Sequence, residues 1–486
     1  MLFNSEAFLF AFLPFTLVAF FLVSKYLGYS FAKCWLIVAS LFFYGFWNPS
    51  YLALIVSSVV FNFYLSRCIL VSSGWIRKLW VSIGVVSNLL VLSYFKYMDF
   101  IIININDVFG LDFNLMNVVL PLAISFFTFQ QISFLLDSFS EKVSEQSFLN
   151  YVLYVTFFPQ LIAGPIVHHS EMMPQFSQHF RRKVNWKNIN IGLLLFSIGL
   201  FKKVVLADTF SVWADTGFAQ PETLKMISAW QSSLSYTLQL YFDFSGYADM
   251  AIGIALMFNI QLPLNFNSPY KSLTIKDFWR RWHMTLSRWL KDYLYIPLGG
   301  NRNGRALAIR NVIITFLLGG LWHGAAWTFV VWGGLHGVAL AIHRMWESTA
   351  IQMPKLFAWV LTFIFINVTW VFFRASDLTD AWLVLKAMFN VNQLGSDVEF
   401  IRSGLSLSGS LLILPAGIQS IWISICIFWG MLIVVKSPNA IEVAKSYEIN
   451  GENKKRYLGV LTTFLLIVSV LTIFSGQQSS FLYFDF

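Results

Sequence analysis

The chain has 486 residues, of which 57% are hydrophobic and 12% are charged, and its formal net charge is +9. Soluble domains are about 45–50% apolar and about 25% charged, so this composition excludes an ordinary soluble protein and predicts a polytopic membrane protein. The basic residues alternate with Trp and Leu instead of covering a polar face, which argues against nucleic-acid binding.

Apolar runs suited to a lipid bilayer recur from end to end. A hydrocarbon core about 30 Å thick needs roughly 20 apolar helical residues, and we predict about nine to eleven such spans, several of them short or broken. The runs do not alternate apolar and polar residues as β-barrel strands do, so the predicted fold is all-α, with re-entrant or interfacial helices. Twelve candidate segments for these spans are Phe8–Val23, Cys34–Trp47, Tyr51–Phe63, Leu79–Phe95, Val118–Leu136, Phe148–Val167, Ile191–Leu206, Ile227–Tyr241, Met250–Leu262, Phe357–Phe373, Ile421–Val435 and Leu458–Phe474.

The first apolar run lacks the basic flank and the small-residue cleavage site of a signal peptide. We therefore expect Met1–Ser24 to remain in the mature protein. The three cysteines, Cys34, Cys68 and Cys426, have no metal-ligand spacing and are predicted to be core residues. No repeat or flexible linker is visible, so residues 1–486 are predicted to form a single integral membrane domain.

Positive charge is concentrated between Lys271 and Arg310, a segment that contains nine basic residues and the two acidic residues Asp277 and Asp292. Short loops rich in Lys and Arg stay in the cytoplasm, so this region is predicted to be cytoplasmic. The charge has two interpretations that stay open here: contact with anionic membrane lipids, or binding of an anionic cytosolic donor such as a coenzyme or an acyl-carrier protein.

Residues 278–291 are predicted to form an amphipathic helix at the membrane interface. Their apolar members recur at three- and four-residue intervals. His283 follows Trp282 at the boundary of the two faces, where we expect it to meet both water and membrane.

The apolar run Asn311–Ile342 contains two groups of glycines, with His323 and His336 beside them. Glycine breaks inside membrane helices point to sites, so breaks are expected at both groups. A helix starting at Arg310 would carry His323 roughly 20 Å inward. A histidine at that depth is a functional candidate, although it could also bridge two helices at glycine crossing sites.

A neutral imidazole can take the proton of a hydroxyl as that oxygen attacks an activated carbonyl, which is the chemistry of acyl transfer. The chain has no GxSxG nucleophile elbow, no HExxH zinc motif and no phosphate-binding glycine loop. The histidines are therefore the leading candidates for chemistry.

Three long motifs carry a family resemblance: FDFSGYADMAIGIALMFNIQLPLNFNSPY from Phe242, FWRRWHMTLSRWLKDYLYIPLGGNR from Phe278, and LLGGLWHGAAWTFVVWGGLHG from Leu317. With LPLAISFFTFQQISFLLD and FFPQLIAGPIV, they resemble the bacterial branch of the membrane-bound O-acyltransferases, which includes alginate and peptidoglycan O-acetyltransferases and the D-alanyl transfer protein of teichoic acids. His168 and His169 follow AGPIV where the family more often has an Arg and an aromatic residue.

The resemblance implies a helical domain around a central tunnel, with its motif core at residues 240–345. It implies that an acyl group, acetyl from acetyl-CoA or from an acyl-carrier thioester, passes from the cytosol to an exported polysaccharide through the inner membrane, completed by a periplasmic acetyltransferase or esterase-like partner. His323 would be the principal catalytic histidine and general base, and His283 the second functional histidine. Arg280, Arg281 and Trp282 would bind the donor, with no bound cofactor or metal.

The final residues, FLYFDF at 481–486, resemble the aromatic tail of this branch. Tyr483 would then carry the acyl group in relay, or else serve only as an interfacial anchor. Asp243 and Asp249 either orient a tunnel histidine or bond across helices. Three alternative functions remain open: D-alanyl transfer to teichoic acid-type polymers, proton-coupled transport, and an inactive scaffold.

Overall fold

The computed structural model describes residues 1–143, 145–178, 183–302, 304–349, 351–395, 416–449, 452–476 and 481–482. Secondary structure in these residues is helical, and no strand occurs among them, which confirms the all-α prediction. Eight described helices are long and apolar enough to cross a membrane, so the chain is a multi-pass membrane protein. These candidate spans are Ala7–Tyr26, Tyr51–Val71, Gly74–Phe109, Trp186–Ala219, Arg305–His323, Lys355–Arg374, Gly417–Lys436 and Glu452–Phe474.

Some predicted spans differ from the helices that form. Phe148–Val167 is divided between Phe148–Thr156 and Phe158–Leu161, because Pro159 cannot continue the first helix but is well placed to start a second one. The two segments predicted on either side of residues 242–249 are one helix of 32 residues, Met226–Met257, which we call the long helix.

The described residues fall into two compact units. The first consists of Met1–Leu200, Tyr247–Leu264 and Ala444–Ile473, and the second of Phe201–Gly246, Asn265–Val443 and Phe474–Phe486, as far as these are described. The remaining helices that begin in the first unit are Tyr29–Gly45, Ile124–Phe139 and His169–Ser177. Further helices of the second unit are Ile275–Trp279, Met284–Leu290, Trp327–Trp346 and Leu378–Met388, and Ala440–Ile449 begins there before continuing in the first unit.

The helices Arg305–His323 and Trp327–Trp346 form a tight hairpin, which we call the histidine hairpin. The chain breaks only at residues 324–326, so the second predicted break is wrong. Gly333 lies inside the second helix and allows the close crossing of the first. A Cβ at this position would collide with the carbonyl oxygen of Phe316 on the facing helix. Small residues let helix backbones approach closely inside a membrane, and the glycines serve this packing.

Replacing Gly333 with alanine is expected to destabilise the protein, because the facing backbone cannot move away without opening the hairpin. Overpacking of this kind costs about 1–3 kcal/mol. Gly334→Ala is the matched control, since its Cβ would meet only Leu317 Cδ2 at 3.4 Å. Thermal unfolding in detergent measures both variants; equal melting temperatures would contradict the crossing role.

The predicted amphipathic helix over residues 278–291 is in fact broken. The chain forms Ile275–Trp279, turns, and starts again at Met284–Leu290. At the turn, His283 adopts left-handed backbone angles, with φ 43° and ψ 52°. Such angles are uncommon for residues other than glycine and persist only where the surroundings fix them. His283 is also fully buried, so the prediction that it meets water is wrong.

The cysteines lie on helices as predicted, but they are not core residues. Cys34 is exposed, and Cys68 and Cys426 are partly exposed. Outward faces of membrane helices are themselves apolar, so an apolar run alone does not distinguish a lipid-facing position from a core position.

Candidate functional site

His283 lies in a cage of aromatic rings in the second unit. Phe244 on the long helix meets its ring edge to face, with centroids 4.8 Å apart, and Phe266 stacks at 6.4 Å. The left-handed turn before Met284 directs the ring into this cage. The fold thus fixes the position of His283 on several sides.

Asn265 orients the His283 ring. His283 Nδ1 lies 3.1 Å from Asn265 Oδ1, which also accepts the Thr285 hydroxyl at 2.8 Å. Because Asn265 Oδ1 acts as an acceptor, the hydrogen bonds assign the proton to Nδ1 and the lone pair to Nε2. Burial lowers the pKa of His283 to about 3, so the ring is neutral at physiological pH and Nε2 can accept a proton.

His323 ends the first helix of the histidine hairpin and is buried, with 6% of its surface exposed. Its ring packs edge to face against Trp332 and Phe373, with centroid distances of 5.1 and 5.2 Å. The His283 and His323 rings lie with their centroids 6.4 Å apart. The structure therefore brings together the two histidines that the sequence singled out.

His336 has a different environment. Trp279 Nε1 donates to its Nδ1 at 3.2 Å, and its Nε2 lies 3.1 Å from the Thr369 hydroxyl oxygen, whose own proton is donated to Ile366 O. Both ring nitrogens have structural partners in a neutral tautomer. His336 is thus suited to a supporting role between helices.

A cavity of about 480 Å³, which we call the basic cavity, opens beside this site in the second unit. Its charged lining residues are Lys276, Arg280, Lys291, Arg344 and Glu347, with His343 beside them. The remainder of the lining is Trp279, Ser287, Leu290, Tyr295, Asn301, Val312, Thr315, Phe316 and Leu340. Cations therefore outnumber the single carboxylate, and the cavity suits an anionic ligand.

Two contacts connect the basic cavity to the histidines. Trp279 lines the cavity and donates to His336. Ser287, another lining residue, donates its main-chain N–H to the carbonyl of His283 at 3.0 Å. At the cavity rim, a hydrogen bond from Lys276 to Glu347 lowers the pKa of Glu347. Lys276 and Glu347 thus form an ion pair at the cavity rim, with 2.7 Å between Nζ and Oε1.

The three predicted donor-binding residues have different environments. Arg280 is exposed and lines the basic cavity. Arg281 makes an ion pair with Asp277 at 3.0 Å, and Trp282 stacks on Phe278 with its side chain buried. Only Arg280 of the three lies in the cavity lining.

The remaining candidates are distributed over both units. Tyr483 lies outside the described residues. Asp243 is buried and pairs with Lys203 at 2.8 Å, and Asp249 is buried at 6% exposure. His169 lies 3.1 Å from Asp137 in the first unit, away from the sequence motifs of the histidine pair.

Sequence reasoning missed Asn265 and Lys203. Asn265 lies within the motif that begins at Phe242. A polar residue next to Phe266 in that motif could have been recognised as a candidate site residue. Lys203 lies within an apolar run of the sequence. Its pairing with two carboxylates is visible only in the structure. No cluster of three or more metal-ligating side chains occurs in the described part of the chain.

Comparison with known proteins gives a consistent set of similarities. The sequence model of the membrane-bound O-acyltransferase family matches residues 41–376. The chain is 45% identical to a peptidoglycan O-acetyltransferase of Helicobacter pylori over 524 aligned residues, covering 100% of this chain and 98% of the relative. It is 40% identical to the probable alginate O-acetylase AlgI of Pseudomonas aeruginosa, covering 80% and 75%. A teichoic acid D-alanyltransferase of Bacillus subtilis is 27% identical, covering 48% and 61%.

Proposed function

Because this chain belongs to the membrane-bound O-acyltransferase family, we propose that it passes an acetyl group from a cytosolic thioester to a cell-surface polysaccharide. The family match runs through residues of both compact units, which supports treating 1–486 as one acyltransferase domain. The relatives named for O-acetylation match over most of their length, whereas the D-alanyltransferase matches over about half of this chain. Acetyl is therefore the preferred acyl group.

The observation that carries the proposal is the pair of buried histidines, His283 and His323, with ring centroids 6.4 Å apart. A hydroxyl oxygen bonds to an imidazole nitrogen at about 2.8 Å, so a centroid separation of this size has room for one hydroxyl between the rings. The surrounding aromatic side chains keep bulk water away and limit hydrolysis of a thioester.

The proposed chemistry at the histidine pair is one acyl transfer to an acceptor hydroxyl. The acceptor oxygen attacks the thioester carbonyl, the C–O bond forms, and the C–S bond breaks. His323 takes the hydroxyl proton as general base and returns it to the leaving thiolate. His283, with its lone pair on Nε2, accepts a hydrogen bond from a neighbouring hydroxyl of the acceptor and so positions the acceptor beside His323.

The basic cavity is the proposed entrance for the donor. Its cations, Arg280 among them, suit the phosphates of acetyl-CoA or of an acyl-carrier prosthetic group. Arg281 and Trp282 lie outside the cavity lining. Through their contacts with Asp277 and Phe278 they would stabilise the turn that leads to His283. The proposal places this face in the cytoplasm of an inner-membrane protein, with a periplasmic partner completing transfer outside.

Replacing Arg280 with alanine is expected to raise the KM for the donor up to roughly fivefold, because an exposed ion pair contributes up to about 1 kcal/mol. The value of kcat should change little. Arg302→Ala removes an exposed cation from the same segment but outside the cavity lining, and serves as the control. An equal rise in KM for both variants would indicate general attraction to the membrane surface instead of a donor site.

The experiment that tests the function supplies inner-membrane vesicles with labelled acetyl-CoA, acetylated carrier protein or D-alanylated carrier protein in parallel. Polysaccharide-linked acetyl from either acetyl donor supports the proposal, and the preferred donor identifies the thioester. Labelling from the D-alanyl donor alone would overturn acetyl transfer. If none of the three donors labels the polysaccharide, the proposed function is overturned.

A further inference from the structure

A buried cluster of three charges lies in the second unit, and the proposed chemistry does not use it. Lys203 Nζ is 2.8 Å from Asp208 Oδ1 and 2.8 Å from Asp243 Oδ1. The three side chains are between 1% and 7% exposed. Charges inside a membrane protein are costly unless they are paired, and they usually serve a function.

The position of Lys203 follows from the local helix geometry. Residues Lys202–Ala207 form a π-helical stretch inside the span Trp186–Ala219. Single π-helical turns are rare and occur often at functional sites. Asp208 starts the next helical stretch, and Asp243 approaches from the long helix.

The C-terminal segment contacts this cluster at two points. The main-chain N–H of Leu482 donates to Asp243 Oδ2 at 3.2 Å. The ammonium of Lys203 lies 4.9 Å from the ring centroid of Phe481, a cation–π distance. Phe481 is 1% exposed and Leu482 is 8% exposed. An aromatic residue that only anchored the chain in the lipid interface would be exposed, whereas Phe481 is buried against Lys203.

The two oxygens of Asp243 have different partners. Oδ1 pairs with Lys203, and Oδ2 accepts the main-chain N–H of Leu482. A buried carboxylate needs hydrogen-bond donors to offset its lost hydration. The Leu482 N–H is such a donor, and it is supplied by the main chain whatever side chain the residue carries.

The same stretch of the long helix also supports the histidine pair. Asp243 binds Leu482, and its neighbour Phe244 packs on the His283 ring with centroids 4.8 Å apart. A shift of this helix would therefore affect both the tail contact and the His283 cage.

We propose that Lys203, Asp208 and Asp243 form a dock for the C-terminal tail, which positions the tail beside the stretch of the long helix that supports His283. Asp243 is a positioning residue: it acts on the reaction through the tail contact and through the long helix, whose Phe244 packs on His283. This role rests on the proposed acyl transfer at the histidine pair.

Hydrogen exchange of the unaltered protein tests the dock without any assay of transfer. The amide of Leu482 should exchange at least 100-fold more slowly than the same amide in a free peptide FLYFDF. Exchange at the peptide rate would overturn the dock. Because no substrate is present, this result is independent of whether the proposed function is correct.

A pair of variants then tests the cluster. Asp243→Asn keeps the side-chain shape but removes the charge that pairs with Lys203, and should speed exchange at Leu482 at least tenfold. Asp249→Asn changes another buried carboxylate on the same helix and should leave this exchange unchanged. Equal effects of the two variants, or no effect of Asp243→Asn, would overturn the role of the cluster.

Kinetics of the same variant tests the link to the reaction. With the tail released, Asp243→Asn should lower kcat at least tenfold while the KM for the donor stays within twofold. A general loss of structure would instead lower the melting temperature and the amount of active protein. Faster exchange at Leu482 with an unchanged kcat would overturn the positioning role and leave only an anchor.

Discussion

Replacing His323 with alanine is expected to lower kcat by about 10²–10⁴, the range for loss of a general base. The reason is local: His323 lies at the end of its helix against Trp332 and Phe373, 6.4 Å from His283 by ring centroids. None of the hydroxyl side chains in the sequence motifs is expected to replace His323 as the proton acceptor. Acetyl transfer from a labelled thioester by purified protein in lipid nanodiscs measures the change.

His336→Ala is the matched control for this prediction, because it removes a second buried histidine from the same hairpin. His336 has structural partners at both nitrogens, so its loss should lower the melting temperature. Its kcat per folded molecule should fall far less than that of His323→Ala. Similar losses of kcat in both variants would show that the hairpin fold, and not the imidazole of His323, limits the rate.

Replacing His283 with alanine is expected to have an effect of the same order, because the acceptor would lose the hydrogen bond to Nε2 that positions it beside His323. Asn265→Ala should have a smaller effect, about fivefold in kcat, since one orienting hydrogen bond contributes about 1 kcal/mol. Both variants should keep their KM for the donor. The order of the three rate constants, with wild type fastest and His283→Ala slowest, is the result to measure.

The pH dependence of Asn265→Asp separates orientation from general structure. A carboxylate beside Nδ1 favours the protonated ring and raises the pKa of His283, which is about 3 in the native environment. Below a raised pKa, Nε2 is protonated and can no longer accept, so the acid limb of the pH–rate profile should move to higher pH. An unmoved acid limb together with a normal rate would contradict the role of the Asn265–His283 contact.

The sequence was sufficient for the fold class and for singling out two histidines that the structure places close together. Composition and run length set the helical membrane fold, because both follow directly from the hydrocarbon environment. His283 and His323 were recognised because ionisable residues are rare in such runs. Their pairing in one site required the structure, since 39 residues, including most of the helix Arg305–His323, separate them in the chain.

The sequence failed where backbone geometry overrode periodicity. The pattern of Phe278, Trp282, Leu286 and Trp289 fits one helix face, yet the chain breaks between them at His283. Periodicity records which side chains are buried, and all four are buried, but it does not detect a left-handed turn. Likewise, glycine marks both breaks and close crossings, so Gly333 could not be assigned before its contact with Phe316 was known.

The central claim is that the histidine pair moves an acyl group from a cytosolic donor to an acceptor outside the cell membrane. The most direct measurement uses sealed inside-out vesicles loaded with polysaccharide and given labelled acetyl-CoA only on their outer, cytoplasmic face. The account predicts labelled polysaccharide in the lumen with wild-type protein and background label with His323→Ala at equal expression. Lumenal labelling by His323→Ala at the wild-type rate would contradict it.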